Sequence, residues 1–170
     1  MKLPLLTSAA FALSAAPALA ADLRVDIEIP RLSAAEYHAP YVAVWIESPD
    51  QTAIGTLSVW YDVDLRNNEG LTWLADMRTW WRKNGRTLTL PADGVSGATR
   101  APGNHSVTFR AANATLRDLP AGQYNVVVEA ARELGNRELV RVPFTWGGAA
   151  NNASGQGSSE LGAISVAVTR

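Results

Sequence analysis

The most informative stretch of the chain is Asp93-Gly94-Val95-Ser96-Gly97-Ala98-Thr99, followed by Arg100-Ala101-Pro102-Gly103. It is small, glycine-rich and polar, and it falls between two expected strands. Such a segment is expected to be an exposed loop whose backbone a partner can approach closely. The plainer alternative is a connection built from turn residues. Elsewhere the chain is poor in reactive groups. It has no cysteine and only two histidines, His38 and His105. This excludes thiolate metal sites, iron–sulfur clusters and cysteine nucleophiles. No Ser/His/Asp order, paired carboxylates or metal motif supports a hydrolase. Glu47, Asp62 and Asp64 lack the spacing of a calcium loop and read as solvated strand ends. His38, beside Pro40, reads as a loop or rim residue. His105 falls near the Thr99 loop in sequence.

The elements that must position this loop are mostly strands. Leu23, Val25, Ile27 and Ile29 alternate with Arg24, Asp26 and Glu28, as in a half-buried strand. Tyr41 to Glu47 is more uniformly apolar and is expected to be central. In Gly55 to Val63, Leu57, Val59 and Tyr61 are expected on one face and Trp60 on the other. Arg86–Leu90, Ser106–Ala111, Gln123–Ala131, Arg137–Phe144 and Gly162–Thr169 complete the set. The expected fold is mainly β, an immunoglobulin/fibronectin-like antiparallel sandwich. Leu119 to Tyr124 fits the tight corner that leads into such a strand. One α-helix, about 69–83, is expected to interrupt it, capped by Asn68 and stopped by Asn84-Gly85. Trp146 to Ser159 is rich in Gly, Ser and Asn and reads as a long flexible loop.

The ends and the charge set the compartment. Lys2, an apolar run to Ala18 and the small-x-small close Ala18-Leu19-Ala20 form a secretory signal peptide over residues 1–20. Residues 21–170 then make one domain. Without Lys2 the remainder carries 14 basic and 16 acidic residues, close to neutral. That balance gives no footprint for nucleic acid or an anionic membrane.

Asp93-x-x-Ser96-Gly97-Ala98-Thr99 resembles the flavinylation motif of bacterial proteins that carry FMN on a threonine. The resemblance implies that an FAD:protein FMN transferase joins FMN to Thr99 through a phosphoester. It implies that Asp93, Ser96, Gly97 and Ala98 form the recognised loop, and that Arg100 could pair with the phosphate or lie in solvent. The threonine hydroxyl is a weak nucleophile, so its activation is expected from the transferase. Trp73, Trp80 and Trp81 could stack on the flavin or could be core, and His105 could lie beside it. The wider chain resembles the DUF2271 family of predicted periplasmic proteins in Tyr41–Glu47, Trp73–Trp81, Asp93–Thr99 and Gly122–Glu133. Members of that family look like companions of PepSY-type membrane proteins. The implied function is a periplasmic electron carrier with covalent FMN, rather than an enzyme with its own substrate. The alternative is a cofactor-free sandwich that binds a ligand or partner through the Trp-rich helix and nearby loops.

Overall fold

A computed structural model describes residues 21–169. The expected signal peptide lies outside the described residues. Two sheets face each other, as expected for a sandwich. One sheet orders β5 (Gly103–Phe109), β1 (Asp22–Ile29), β9 (Ala163–Thr169) and β8 (Asn151–Gln156). The other orders β4 (Ser96–Ala98), β3 (Ala53–Tyr61), β2 (Tyr41–Glu47), β6 (Gly122–Ala131) and β7 (Arg137–Trp146). Every pairing is antiparallel except β3 with β4, which is parallel.

The alternation of β1 does what its sequence predicts. Leu23, Val25, Ile27 and Ile29 point into the space between the sheets, with Val42, Val44, Val126, Val128, Ile164 and Val166. The uniform apolarity of β2 also has its expected cause. All seven of its residues are buried because the strand is central in its sheet and covered on both faces. The second cover is a helical insertion between β3 and β4. Its Leu74, Met77 and Trp80 pack on Ala43, Trp45, Val59, Tyr61 and Val127. Tyr124 Oη donates to the Pro120 carbonyl at 3.0 Å and closes the corner into β6.

The insertion is not one regular α-helix over 69–83. Residues Arg66–Asp76 form 3₁₀ turns, and only Arg78–Lys83 (α1) is α-helical. Asn68 is no cap: Asn67 and Asn68 both sit in the left-handed region, at φ 56° and 55°. The start of α1 is served from outside the segment. The buried carboxylate of Glu129, on β6, accepts from the backbone N–H of Thr79 (3.1 Å) and Trp80 (2.7 Å). Arg137 Nη1 balances that charge at 2.8 Å. A second buried carboxylate, Glu47, accepts from Lys83 Nζ (2.6 Å) in α1, from Arg141 Nε (2.8 Å) in β7 and from Trp45 Nε1 (3.0 Å). Glu47 is therefore not a solvated strand end; it joins α1 to the sheet. A further short helix, α2 (Ala114–Arg117), begins at Asn113, whose side chain accepts from Thr115 N–H at 2.9 Å.

Three further expectations are corrected. Leu57 faces the space between the sheets with Trp60, while Val59 and Tyr61 face the insertion. The pairing of β2 with β3 slips by one residue at Leu57, and such a bulge reverses the faces that alternation alone assigns. Arg86–Leu90 is not a strand. After a 3₁₀ turn at Gly85–Thr87, its Leu88 and Leu90 pack against the outer core without joining a ladder. Part of the expected loop 146–159 is the edge strand β8. A Cβ at Gly155 would come within 2.8 Å of Val140 Cγ1, so small residues there let β8 lie against β7.

Candidate functional site

The 93–99 stretch is more ordered than a loop. Ser96–Ala98 form the short edge strand β4, with Ser96 opposite Val59, Gly97 opposite Trp60 and Ala98 opposite Tyr61. Ser96 also closes the turn before it. Its hydroxyl accepts from Ala92 N–H (3.0 Å), and its own N–H donates to the Ala92 carbonyl (2.9 Å). Asp93 is exposed and Gly94 adopts φ +71°, so the turn presents its apex outward. Ser58 ties the segment down from below: its hydroxyl donates to the Val95 carbonyl (3.2 Å) and accepts from Trp60 Nε1 (3.0 Å).

Thr99 is the first residue past β4, and its N–H donates to the Tyr61 carbonyl at 3.2 Å. That bond fixes the backbone and leaves the half-buried side chain at the sheet edge. The hydroxyl donates to Asp62 Oδ1 at 3.1 Å. Asp62 follows β3 directly, so the parallel pairing of β3 and β4 brings the two side chains together. The other oxygen of the carboxylate lies 3.5 Å from Tyr41 Oη. Burial, with the nearby Asp62 charge adding to it, pushes the Tyr41 phenol up to about 12, so it stays a donor.

Asp62 also belongs to the wall of a cleft of about 340 Å³. Tyr37, His38, Tyr41, Trp73 and Arg132 are among its other lining residues, and Asp76 and Glu133 add acidic groups. His38 thus is a rim residue, 3.4 Å from Glu36 and 3.6 Å from Glu133. Trp73 is 44% exposed, an unusually open position for so large an apolar side chain. Tyr37 Oη and Arg132 Nη1 are buried without a hydrogen-bond partner among the described residues, and the rest of the Arg132 guanidinium is held by Glu160 at 2.8 and 3.2 Å.

The three tryptophans named from sequence are separated. Trp80 is fully buried, and its Nε1 donates to Thr56 Oγ1 at 3.0 Å, so it offers no open ring face. Trp81 is half-buried and lines a different groove. Only Trp73 reaches the cleft beside Asp62. Trp81 follows Trp80 directly in α1 and so points about 100° away from it. The change from 3₁₀ to α geometry at Met77, whose ψ is 71°, breaks the helical phase that would align positions 73 and 80. Arg100 turns to the other side of β4. Its guanidinium lies 4.0 Å from the centroid of the Trp60 ring, and burial there lowers its pKa below the usual arginine value. His105, on β5, meets the same Trp60 ring edge-on at 6.0 Å and shares its Nε2 with the Ala101 carbonyl at 2.7 Å. Thr99, Asp62, Trp73 and the cleft thus form one constellation, and Arg100, Trp60 and His105 a second beside it.

Asp62 is the residue that reading the sequence missed. Its spacing to Glu47 and Asp64 carries no signal, and only the parallel pairing of two strands distant in sequence sets it against Thr99. Among the described residues no cluster of three or more His, Asp or Glu side chains could hold a metal ion. None of their helices is long and apolar enough to cross a membrane.

A two-sheet sandwich with a helical cover and a hydroxyl-bearing edge strand defines the class. Residues 22–163 match the family model described as predicted periplasmic protein (DUF2271), and the chain belongs to that family. That description agrees with the export expected from the N-terminus. No curated protein and no solved structure matched the chain.

Proposed function

We propose that Thr99 is the point at which an FAD:protein FMN transferase attaches FMN, and that the protein carries this flavin in periplasmic electron transfer. The observation that supports this reading best is the position of Thr99. The last residue of the Asp-x-x-Ser-Gly-Ala-Thr stretch presents its hydroxyl at a sheet edge, bonded to a carboxylate that lines an aromatic cleft. The attachment balances without oxidation or reduction. Thr99 Oγ bonds to the flavin-side phosphorus of FAD, the pyrophosphate bond to AMP breaks, AMP departs, and the hydroxyl proton leaves toward Asp62.

The residues present fit the group. Gly97 is open: a Cβ there would meet only Trp60 Cδ1, at 3.5 Å, so the backbone beside Thr99 can be approached. Trp73 and Tyr37 line a cleft that begins at Asp62, a suitable bed for a planar ring. Asp62 would repel the phosphoester once it forms, and Arg100, which has no carboxylate partner among the described residues, would answer that charge across the edge of β4. Bound FMN would supply one- and two-electron chemistry; the chain's share is tethering, orientation and electrostatics. A covalent tether also suits export, because a dissociable flavin would be lost by diffusion. A PepSY-type membrane protein is the partner this reading expects.

The unpaired polar atoms of Tyr37 and Arg132 favour a second reading, a cofactor-free module that binds a small ligand in the same cleft. One experiment separates the two. The protein is produced with an active transferase and FAD, and its intact mass and flavin absorbance are measured. An FMN mass on the peptide containing Thr99, absent from Thr99→Ala, supports the carrier. An unmodified protein under those conditions overturns it and leaves the binding module.

A further inference from the structure

A second surface is built on the other flank of the helical insertion and owes nothing to the flavin. A groove of about 390 Å³ is lined by Arg78, Trp81, Arg82, Arg86 and Arg137, with Ala75 at its end. Arg78 and Arg82 lie one turn apart on α1, an arrangement of like charges that costs stability, and Arg86 joins them at the groove from the 3₁₀ turn that follows. Local pairing does not offset this. Arg137 is balanced by Glu129. Arg82 Nε donates only to the Arg78 carbonyl, at 3.2 Å. Among the described residues, Arg78 and Arg86 have no carboxylate partner. The whole chain, by contrast, carries 15 basic and 16 acidic residues. Four guanidinium groups around a half-buried indole are thus a strong local departure.

The geometry points to this groove as the docking surface for an acidic segment of a partner protein. Tryptophan and arginine are the residues that most often anchor protein interfaces, since each joins a large contact area to a directional polar end. Guanidinium forks match carboxylates in pairs. A positive groove on a chain that is otherwise balanced in sign also orients an acidic partner on approach. Docking there would place the partner close to the cleft walled by Asp62: Trp73 and Asp76 line the cleft, and Ala75 and Arg78 line the groove.

The test uses a glutamate-rich peptide as the probe, followed by NMR of the Trp81 indole N–H and by calorimetry. Binding should shift that resonance and weaken when salt rises from about 0.02 M to about 0.15 M, where the screening length falls to about 8 Å. The double variant Arg78→Glu/Arg86→Glu should lose binding at least tenfold. Arg110→Glu, an exposed arginine outside the groove, should bind as the parent does. Should the charge-reversed pair fold poorly, Arg78→Gln/Arg86→Gln reads the same loss. Unchanged binding in the Arg78/Arg86 double variants would overturn the proposal. So would inorganic pyrophosphate binding at the same resonances more tightly than the peptide, because that marks a small-anion site. None of these results depends on whether Thr99 carries FMN.

Discussion

The Thr99 hydroxyl donates to Asp62 Oδ1 at 3.1 Å, although 37 positions separate the two residues. The contact exists because β4 joins the edge of β3 in parallel, which sets the residues following the two strands side by side. The carboxylate fixes the direction of the hydroxyl lone pairs and offers a place for its proton. Asp62→Asn keeps the shape but exchanges a charged acceptor for a neutral one, a difference of about 1.4 kcal/mol. FMN loading by the transferase should slow about tenfold, with melting temperature unchanged because Asp62 is exposed. Time-resolved intact mass reads the rate. Loading at the parent rate would remove Asp62 from the account.

Gly97 separates recognition from folding. Its φ is ordinary and a Cβ would touch only Trp60 Cδ1, at 3.5 Å. Gly97→Ala should therefore change stability by no more than about 0.5 kcal/mol. Loading should nevertheless drop, because a methyl two residues before Thr99 bulks out the edge strand on which the transferase must close. Denaturant unfolding and flavin absorbance, measured on the same preparation, give both numbers. A variant that loads normally would show that Gly97 is no part of what the enzyme reads.

Trp73 and Trp80 are seven residues apart and should behave as opposites. Trp80 is fully buried beneath the insertion, and Trp80→Ala should cost about 3–5 kcal/mol. Trp73 is 44% exposed beside the cleft, so Trp73→Ala should leave stability nearly intact. In FMN-loaded protein Trp73→Ala should raise flavin fluorescence, since a stacked indole quenches it. Equal flavin fluorescence in parent and variant would mean that the ring lies elsewhere.

How much of this the sequence shows depends on the range of the force involved. The inward side of β1 and the double burial of β2 follow from local patterning, because hydrophobic spacing over one strand already decides them. The bulge at Leu57 does not, since it depends on register against β2. The strand β8 was hidden by its polar composition, Asn-Asn-Ala-Ser-Gly-Gln; its small residues serve close approach to β7. In the site, the types and order of residues 93–99 are local and legible. Asp62 beside Thr99 and Trp73 beside the cleft are tertiary, and which of the tryptophans is core and which is open depends on the insertion being 3₁₀ before Met77, which residue spacing does not show.

Glu129 holds α1 to the sheet, and its removal should be felt there first. Glu129→Ala leaves Arg137 without its partner and two N–H groups of α1 without an acceptor. Breaking a buried pair of this kind costs about 3–5 kcal/mol. Hydrogen exchange should show the amides of Trp81 and Asn84 opening before those of β2. If they remain as protected as in the parent, the insertion is held by its apolar contacts alone.

Glu138 gives the protein its clearest acid sensitivity. Burial works to raise its pKa. The N–H groups of Leu161, Ser158 and Ser159, with the Ser158 hydroxyl, outweigh burial and hold the carboxyl down to about 2. A folded-state pKa below the unfolded value of about 4.3 adds stability that is fully present above pH 4.3 and is lost as pH falls through about 2. The turn at residues 157–162, which enters β9, should therefore loosen between those limits. Glu138→Gln cannot accept from all these donors as a charge does, and should lower stability at pH 7 by about 1–3 kcal/mol. The gap between parent and variant should then close as pH falls toward 2. Melting temperatures of both proteins across pH 2–7 test this, and a gap that stays constant with pH would show that Glu138 is not the group responsible.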